Sequence, residues 1–201
     1  MRRQTLTHDR VFDKPDFAAT YARKHESMGR KLGKSVVGRD LAKRGFTSGL
    51  FLDDGCGPGF LLIEILKLFP AAQGIGIDLA GPLLEIGLKT AAREGLSGRA
   101  KFENADVAKL PYDNNSFDAV ISTNMLHIVE NPIRQLDEIE RVLKPDGLCF
   151  IADIKRSWFI SLFEKVSRSA FTAKEAGQII AQSKIRKGTL SNGFIWWEYR
   201  A

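Results

Sequence analysis

Three aspartates and three closely spaced glycines are the residues of this chain best suited to chemistry. Asp53-Asp-Gly-Cys-Gly-Pro-Gly59 sets glycines at 55, 57 and 59 directly behind an acid. With no Cβ in the way, such a loop lets the backbone approach a ligand closely. A helix starting after it would offer free N–H groups and a partial positive charge. The spacing is GxGxG, whereas the dinucleotide fingerprint is GxGxxG. A carboxylate at Asp53 would repel a pyrophosphate and suits a ligand carrying an amino group and a cationic sulfur. Asp78 follows in Gly76-Ile-Asp78. There it either accepts hydrogen bonds from the two hydroxyls of a ribose or caps the next helix. Asp106, in Asn104-Ala-Asp106-Val107, either meets an exocyclic adenine amine or is a solvated turn aspartate.

Proton-transfer candidates are fewer. His127, in Asn124-Met-Leu-His-Ile-Val-Glu130, and Asp153, closing Leu148-Cys-Phe-Ile-Ala-Asp153, both fall at expected strand ends. Each reads as a general base or as a locally bonded side chain. Tyr21 and His25 lie one helical turn apart, and Tyr21 reads as a lid residue or as packing. The two cysteines, Cys56 and Cys149, form no CxxC pair and no zinc pattern, so the sequence indicates no metal site and two reduced thiols.

These residues need elements to hold them. Residues 13–44 read as helix in two pieces, ended by Gly45. Strands are expected at 49–53, 74–78, 100–105, 117–122 and 148–153, and helices at 60–69, 82–94, 132–143 and 172–183. Thr172 and Glu175 form a capping box, with Phe171 and Ala176 as its hydrophobic staple. Lys144-Pro-Asp-Gly147 reads as a turn. Residues 185–190 and 194–199 flank Ser191-Asn-Gly193 as a hairpin, which brings the last strand in antiparallel. The alternation implies a doubly wound α/β domain, with all three carboxylates on the carboxyl edge of the sheet, where ligands bind in open α/β folds.

With these motifs the sequence resembles the class I, Rossmann-like S-adenosylmethionine-dependent methyltransferases, in particular the small-molecule branch that includes ubiquinone and menaquinone biosynthesis enzymes. The resemblance rests on Leu52–Gly59, Gly76-Ile-Asp78, Ala105-Asp106 with Leu110-Pro-Tyr112 and Phe117-Asp118, and Arg141-Val-Leu-Lys-Pro-Asp-Gly147. In that last motif Asp146 stands where the family has glycine. The resemblance implies a seven-stranded sheet of order 3-2-1-4-5-7-6 with strand 7 antiparallel, and a single domain with a helical cap at 1–45 before a core at 46–201. It further implies that Asp53 and the Gly55–Gly57 backbone, with Cys56 and Gly59, hold the methionine part of S-adenosylmethionine. Asp78 and Leu79 would hold the ribose, Asp106 and Val107 the adenine, and Asn124 the methionine amine. S-adenosylhomocysteine would be the product. The sequence lacks the Asn/Asp-Pro-Pro-Tyr/Phe motif of adenine and glutamine-amide methylation, which favours a small-molecule acceptor.

The net charge of +6 is unevenly placed, +7 over residues 1–49, −7 over 50–154 and +6 over 155–201. The basic flanks read either as solvated helix faces or as a rim for an anionic acceptor or nucleic acid. An RNA or protein methyltransferase, a non-catalytic S-adenosylmethionine sensor and an NAD-binding protein are the alternatives. No apolar run reaches the ~18 residues of a membrane span, and the basic N-terminus lacks a signal-peptide core, so a cytoplasmic setting is expected.

Overall fold

A computed structural model describes residues 11–157 and 168–201; the basic N-terminal decapeptide lies outside these. Seven strands form one sheet in the order β3-β2-β1-β4-β5-β7-β6. They are β1 (Ser48–Asp54), β2 (Ala71–Asp78), β3 (Ala100–Asn104), β4 (Phe117–Thr123), β5 (Leu143–Ile154), β6 (Thr189–Asn192) and β7 (Trp196–Arg200). The first five run parallel, and β7 is antiparallel to both β5 and β6. The sheet order expected from the resemblance and the antiparallel last strand are both present.

The helices are α1 (Pro15–Leu32), α2 (Gly38–Lys43), α3 (Phe60–Leu68), α4 (Gly81–Arg93), α5 (Pro132–Val142) and α6 (Ala173–Gln182). Alternation along β1 sends Phe51 into the core under α3 and Leu52 into the core shared with α5 and α6. Each face of the sheet is thereby covered, as parallel strands require. Thr172 caps α6 by accepting from the Glu175 amide, and Glu175 returns a bond to the Thr172 amide. Thr172→Ala should lower stability by about 1 kcal/mol, read as a lower urea midpoint with an unchanged slope.

Several boundaries differ from expectation, and three of the differences have a visible physical reason. The N-terminal helix does not break in two. It passes from α1 into α2 through a wide π-turn, Gly33–Val37, and ends at Gly45, whose φ is +89°. Gly33 and Gly38 act as contact points rather than breakers. A Cβ on Gly33 would lie 2.7 Å from the Leu61 carbonyl, and one on Gly38 2.3 Å from Leu68 Cδ1. Residues 15–43 therefore lie along α3, while Ala18 and Tyr21 meet the start of α4. Second, Lys144–Gly147 falls within β5 rather than in a free turn. Leu143 pairs with Phe117, and pairing resumes at Leu148 opposite Ala119, so the segment bulges from the strand. Third, β6 starts at Thr189 instead of 185. The Lys184 and Arg186 amides are taken by Asp137 and Glu140 of α5, and the Arg186 guanidinium binds the Lys144, Pro145 and Gly147 carbonyls. These bonds anchor 184–187 to α5 and the bulge before pairing begins.

Candidate active site

The glycine loop sits between β1 and α3. The Gly55 and Cys56 amides both donate to the Ile77 carbonyl, at 3.0 and 2.8 Å. The three glycines take φ values of +83°, +52° and +68°, which side chains rarely adopt. Their reasons differ. A Cβ on Gly55 would strike Met125, 2.2 Å away, and one on Gly59 would strike Phe102 at the same distance. At Gly57 a Cβ would meet nothing within 4 Å. Gly55 and Gly59 are therefore demanded by packing, whereas Gly57 opens onto free space at the carboxyl edge. That open backbone is the observation by which the loop fits a bound nucleoside.

Asp78 closes β2 beside it. One carboxylate oxygen accepts the Gly57 amide and the other the Ala80 amide, each at 2.9 Å. It thus ties the loop to the start of α4, and burial raises its pKa. Leu79 stands 59% exposed next to it. The Asn104 side chain donates to the Asp78 and Leu79 carbonyls at 3.2 and 2.8 Å, fixing this edge from β3. Asp106 is exposed and accepts the Ala108 amide at 2.8 Å, as a turn aspartate does, while Val107 is buried in the core.

Asp53 is only 1% exposed. It lies on the α3 side and takes the Leu62 amide, so it supports the loop and helix from behind rather than at the surface. Burial, with Asp54 and Asp78 nearby, pushes its carboxyl up to about 8. Cys56 is buried, and burial beside Asp53 and Asp78 drives its thiol well above its usual range, which disfavours the thiolate. Cys149, buried in β5, is pushed up to about 12.

The structure joins two residues that the sequence offered separately. His127 Nδ1 lies 2.6 Å from Asp153 Oδ1, and the His127 amide donates to Asp153 Oδ2 at 3.0 Å. The Ile154 amide also donates to Oδ1, at 2.7 Å. His127 is 3% exposed and Asp153 is fully buried. Asn124 precedes this loop with φ +58°, one of two such non-glycine residues described, and its amide donates to the Ala152 carbonyl. Tyr21 lies elsewhere, stacked on His25 at 4.1 Å and edge-on to Phe12 at 5.0 Å. It packs toward Ala80 on the β2 side of the edge, whereas His127 and Asp153 follow β4 and β5.

Sequence reasoning missed Asp54, Gln135 and Asn104. The doubled acid at 53–54 was the available signal for the first.

Several arginines of the basic flanks are paired within the fold. Arg30 binds Glu64 and Glu94 at 2.7 Å each, Arg186 binds Glu140, and Arg200 binds Asp40. A groove of about 480 Å³ opens at the opposite, amino edge, lined by residues including Arg44, Asp118 and Lys144, far from the glycine loop. Among the described residues no cluster of His, Cys, Asp and Glu is placed to hold a metal, and no helix is long and apolar enough to cross a membrane.

Sheet order, glycine loop and strand-end carboxylates together define a Rossmann-like methyltransferase fold. Residues 48–194 match the family described as Methyltransferase domain, and the chain belongs to that family. Sterol 4-C-methyltransferase strm-1 of Caenorhabditis elegans is 34% identical over 103 residues, covering 51% of this chain and 30% of that protein. The ubiquinone/menaquinone biosynthesis C-methyltransferase UbiE of Citrifermentans bemidjiense is 30% identical over 148 residues, 68% of this chain and 63% of that protein. The chain thus spans under two thirds of either relative. A SAM dependent methyltransferase from Aquifex aeolicus shares the fold, with a TM-score of 0.74 at 20% identity over 93% of this chain and 97% of that one.

Proposed function

We propose that this chain transfers the methyl group of S-adenosylmethionine to a small-molecule acceptor. The observation that carries the reading is the Gly57 backbone, open to space and bonded at 2.9 Å to the Asp78 carboxylate. In this reading the Gly55–Gly59 loop, with Cys56 and Asp53 behind it, faces the methionine part of the donor. Asp78 meets the ribose hydroxyls, Leu79 gives an apolar wall, and Asp106 with Val107 borders the adenine. Asn124, in its left-handed turn, approaches the methionine amine. S-adenosylmethionine supplies an electrophilic methyl on a sulfonium. The protein's task is to align an in-line displacement, which accounts for ~7–11 kcal/mol of such a barrier.

His127 is the proton acceptor in this reading. The tautomer this role requires is the one in which Nδ1–H donates a hydrogen bond to Asp153 and Nε2 carries the lone pair. Tyr21, packed toward Ala80 at the start of α4, borders the donor side as a lid residue in this reading. The similarity to proteins named for sterol and quinone C-methylation makes a lipophilic ring compound the first acceptor class to try. The cytoplasm, where both thiols stay reduced, is the proposed setting.

Calorimetry with S-adenosylhomocysteine tests the donor half; binding of NAD instead would overturn it. Turnover with radiolabelled donor against sterol, quinol and RNA acceptors tests the rest. Methylation of RNA alone, with steeply salt-dependent binding, would replace the small-molecule reading.

A further inference from the structure

β1 ends in two adjacent acids that alternation sends to opposite faces. Asp53 faces α3. Asp54 faces α5 and is fully buried. Gln135 Nε2 donates to Asp54 Oδ2 at 2.6 Å and to Ser122 Oγ at 3.1 Å, and Ser122 Oγ donates to the Asp54 carbonyl at 3.1 Å. Two buried oxygens of this group, Asp54 Oδ1 and Gln135 Oε1, have no hydrogen-bond partner. Both are acceptors, and an ionised Asp54 could satisfy neither. A single proton on Oδ1, turned toward Gln135 Oε1, would satisfy both. The carboxylic acid then donates to the amide oxygen while the amide nitrogen donates back, so acid and amide complete each other.

Among the described residues, no cation figures among the main influences on Asp54. The groups that bear on Asp54 are the acids Asp53 on its own strand, Asp78 ending β2 and Asp106 after β3, with Cys56, Tyr112 and Cys149 among the uncharged ones. Burial beside them raises the carboxyl to about 7, against only the Gln135 and Ser122 bonds.

We infer that Asp54 is a positioning residue that works as a neutral acid, sharing its carboxyl proton with Gln135 Oε1 and so tying the strand that bears the donor loop to the helix behind the His127 loop. Its effect on donor binding rests on the function proposed above; the location of its proton does not. The pH dependence follows. The unfolded carboxyl loses its proton near 3.8, while the folded one keeps it to about 7. The contribution is fully present below the unfolded value and is lost as pH rises through the folded one. Asp53 acts in the same direction, up to about 8.

The full chain, Asp54→Asn and Asp54→Ala decide the matter. At about pH 6 the infrared spectrum of the native chain should contain a protonated-carboxyl C=O stretch that Asp54→Asn lacks. Asp54→Asn can form the matching amide pair and has no carboxyl to titrate, so its urea midpoint should lie nearest the native one at about pH 4 and exceed it by a margin that grows up to about pH 7. For S-adenosylhomocysteine, Asp54→Ala should bind ~10-fold more weakly at about pH 6 while Asp54→Asn binds normally. An unchanged infrared spectrum, or Asp54→Asn behaving like Asp54→Ala, would overturn the inference. Should Asp54→Ala fail to fold, the infrared and urea comparison of the native and Asn chains is decisive without it. If none of the three binds S-adenosylhomocysteine, the donor reading fails, whereas the infrared and unfolding results continue to judge Asp54.

Discussion

Asp153→Asn should lower turnover ~10²–10⁴-fold while leaving donor affinity within about twofold. Asp153 accepts three hydrogen bonds, from the His127 ring, the His127 amide and the Ile154 amide. Asparagine keeps the shape but presents an NH₂ to one or more of those donors. The imidazole then either turns or takes the other tautomer, and Nε2 no longer holds the lone pair. The pair is buried, so the change also costs stability, about 1–3 kcal/mol for an unmatched buried polar group. Stability loss alone would reduce the amount of folded enzyme, not kcat per folded molecule. The informative measurement is therefore active-site-normalised kcat with the best acceptor from the panel, beside donor affinity by calorimetry. His127→Ala should match Asp153→Asn, and the double variant should be no worse, since residues acting as one unit are not additive. A normal kcat in Asp153→Asn, or independent losses that multiply, would remove the pair from the chemistry.

The pairing behind this prediction was only half legible in the sequence. Each residue could be placed at a strand end from its apolar run. That they meet depends on the β4–β5 register, in which Thr123 lies opposite Ala152, and no pattern within either strand encodes it. Asp54 shows the same limit. Period two assigns its face, but its partner Gln135 sits on a helix 81 residues away. The glycine loop was the most legible part, because turn chemistry is local. Even there the reasons were mixed, since Gly55 and Gly59 serve Met125 and Phe102 and only Gly57 faces open space. The N-terminal helix was misread. Residues 13–44 divide into two pieces by pattern, yet Gly33 and Gly38 let one continuous helix lie against α3. The antiparallel β7 was readable from the tail hairpin, whereas the strand order followed from the family resemblance and from no pattern within the strands. The start of β6 was not readable, because amides 184 and 186 bond to α5 side chains that no local pattern points to.

Asp78→Ala should weaken S-adenosylhomocysteine binding by ~10–10²-fold, the value of one or two hydrogen bonds to a charged acceptor. The loss by itself would not establish a ribose role. Asp78 also accepts the Gly57 and Ala80 amides, so removing it loosens the very loop that faces the donor. A thermodynamic cycle separates the two effects. The native chain should prefer S-adenosylhomocysteine to its 2′-deoxyribose analogue by ~10-fold, because the deoxy ligand strands part of the carboxylate. In Asp78→Ala that preference should vanish, both ligands binding weakly and alike. If Asp78 serves only the loop, the variant weakens both ligands equally and the native preference persists unchanged. The ratio therefore reports contact with the hydroxyl, and the absolute affinity reports support of Gly57. Since both amide bonds leave lone pairs on the same two oxygens, the carboxylate that holds the loop has capacity left for a ribose, and the cycle tests whether one side chain serves both.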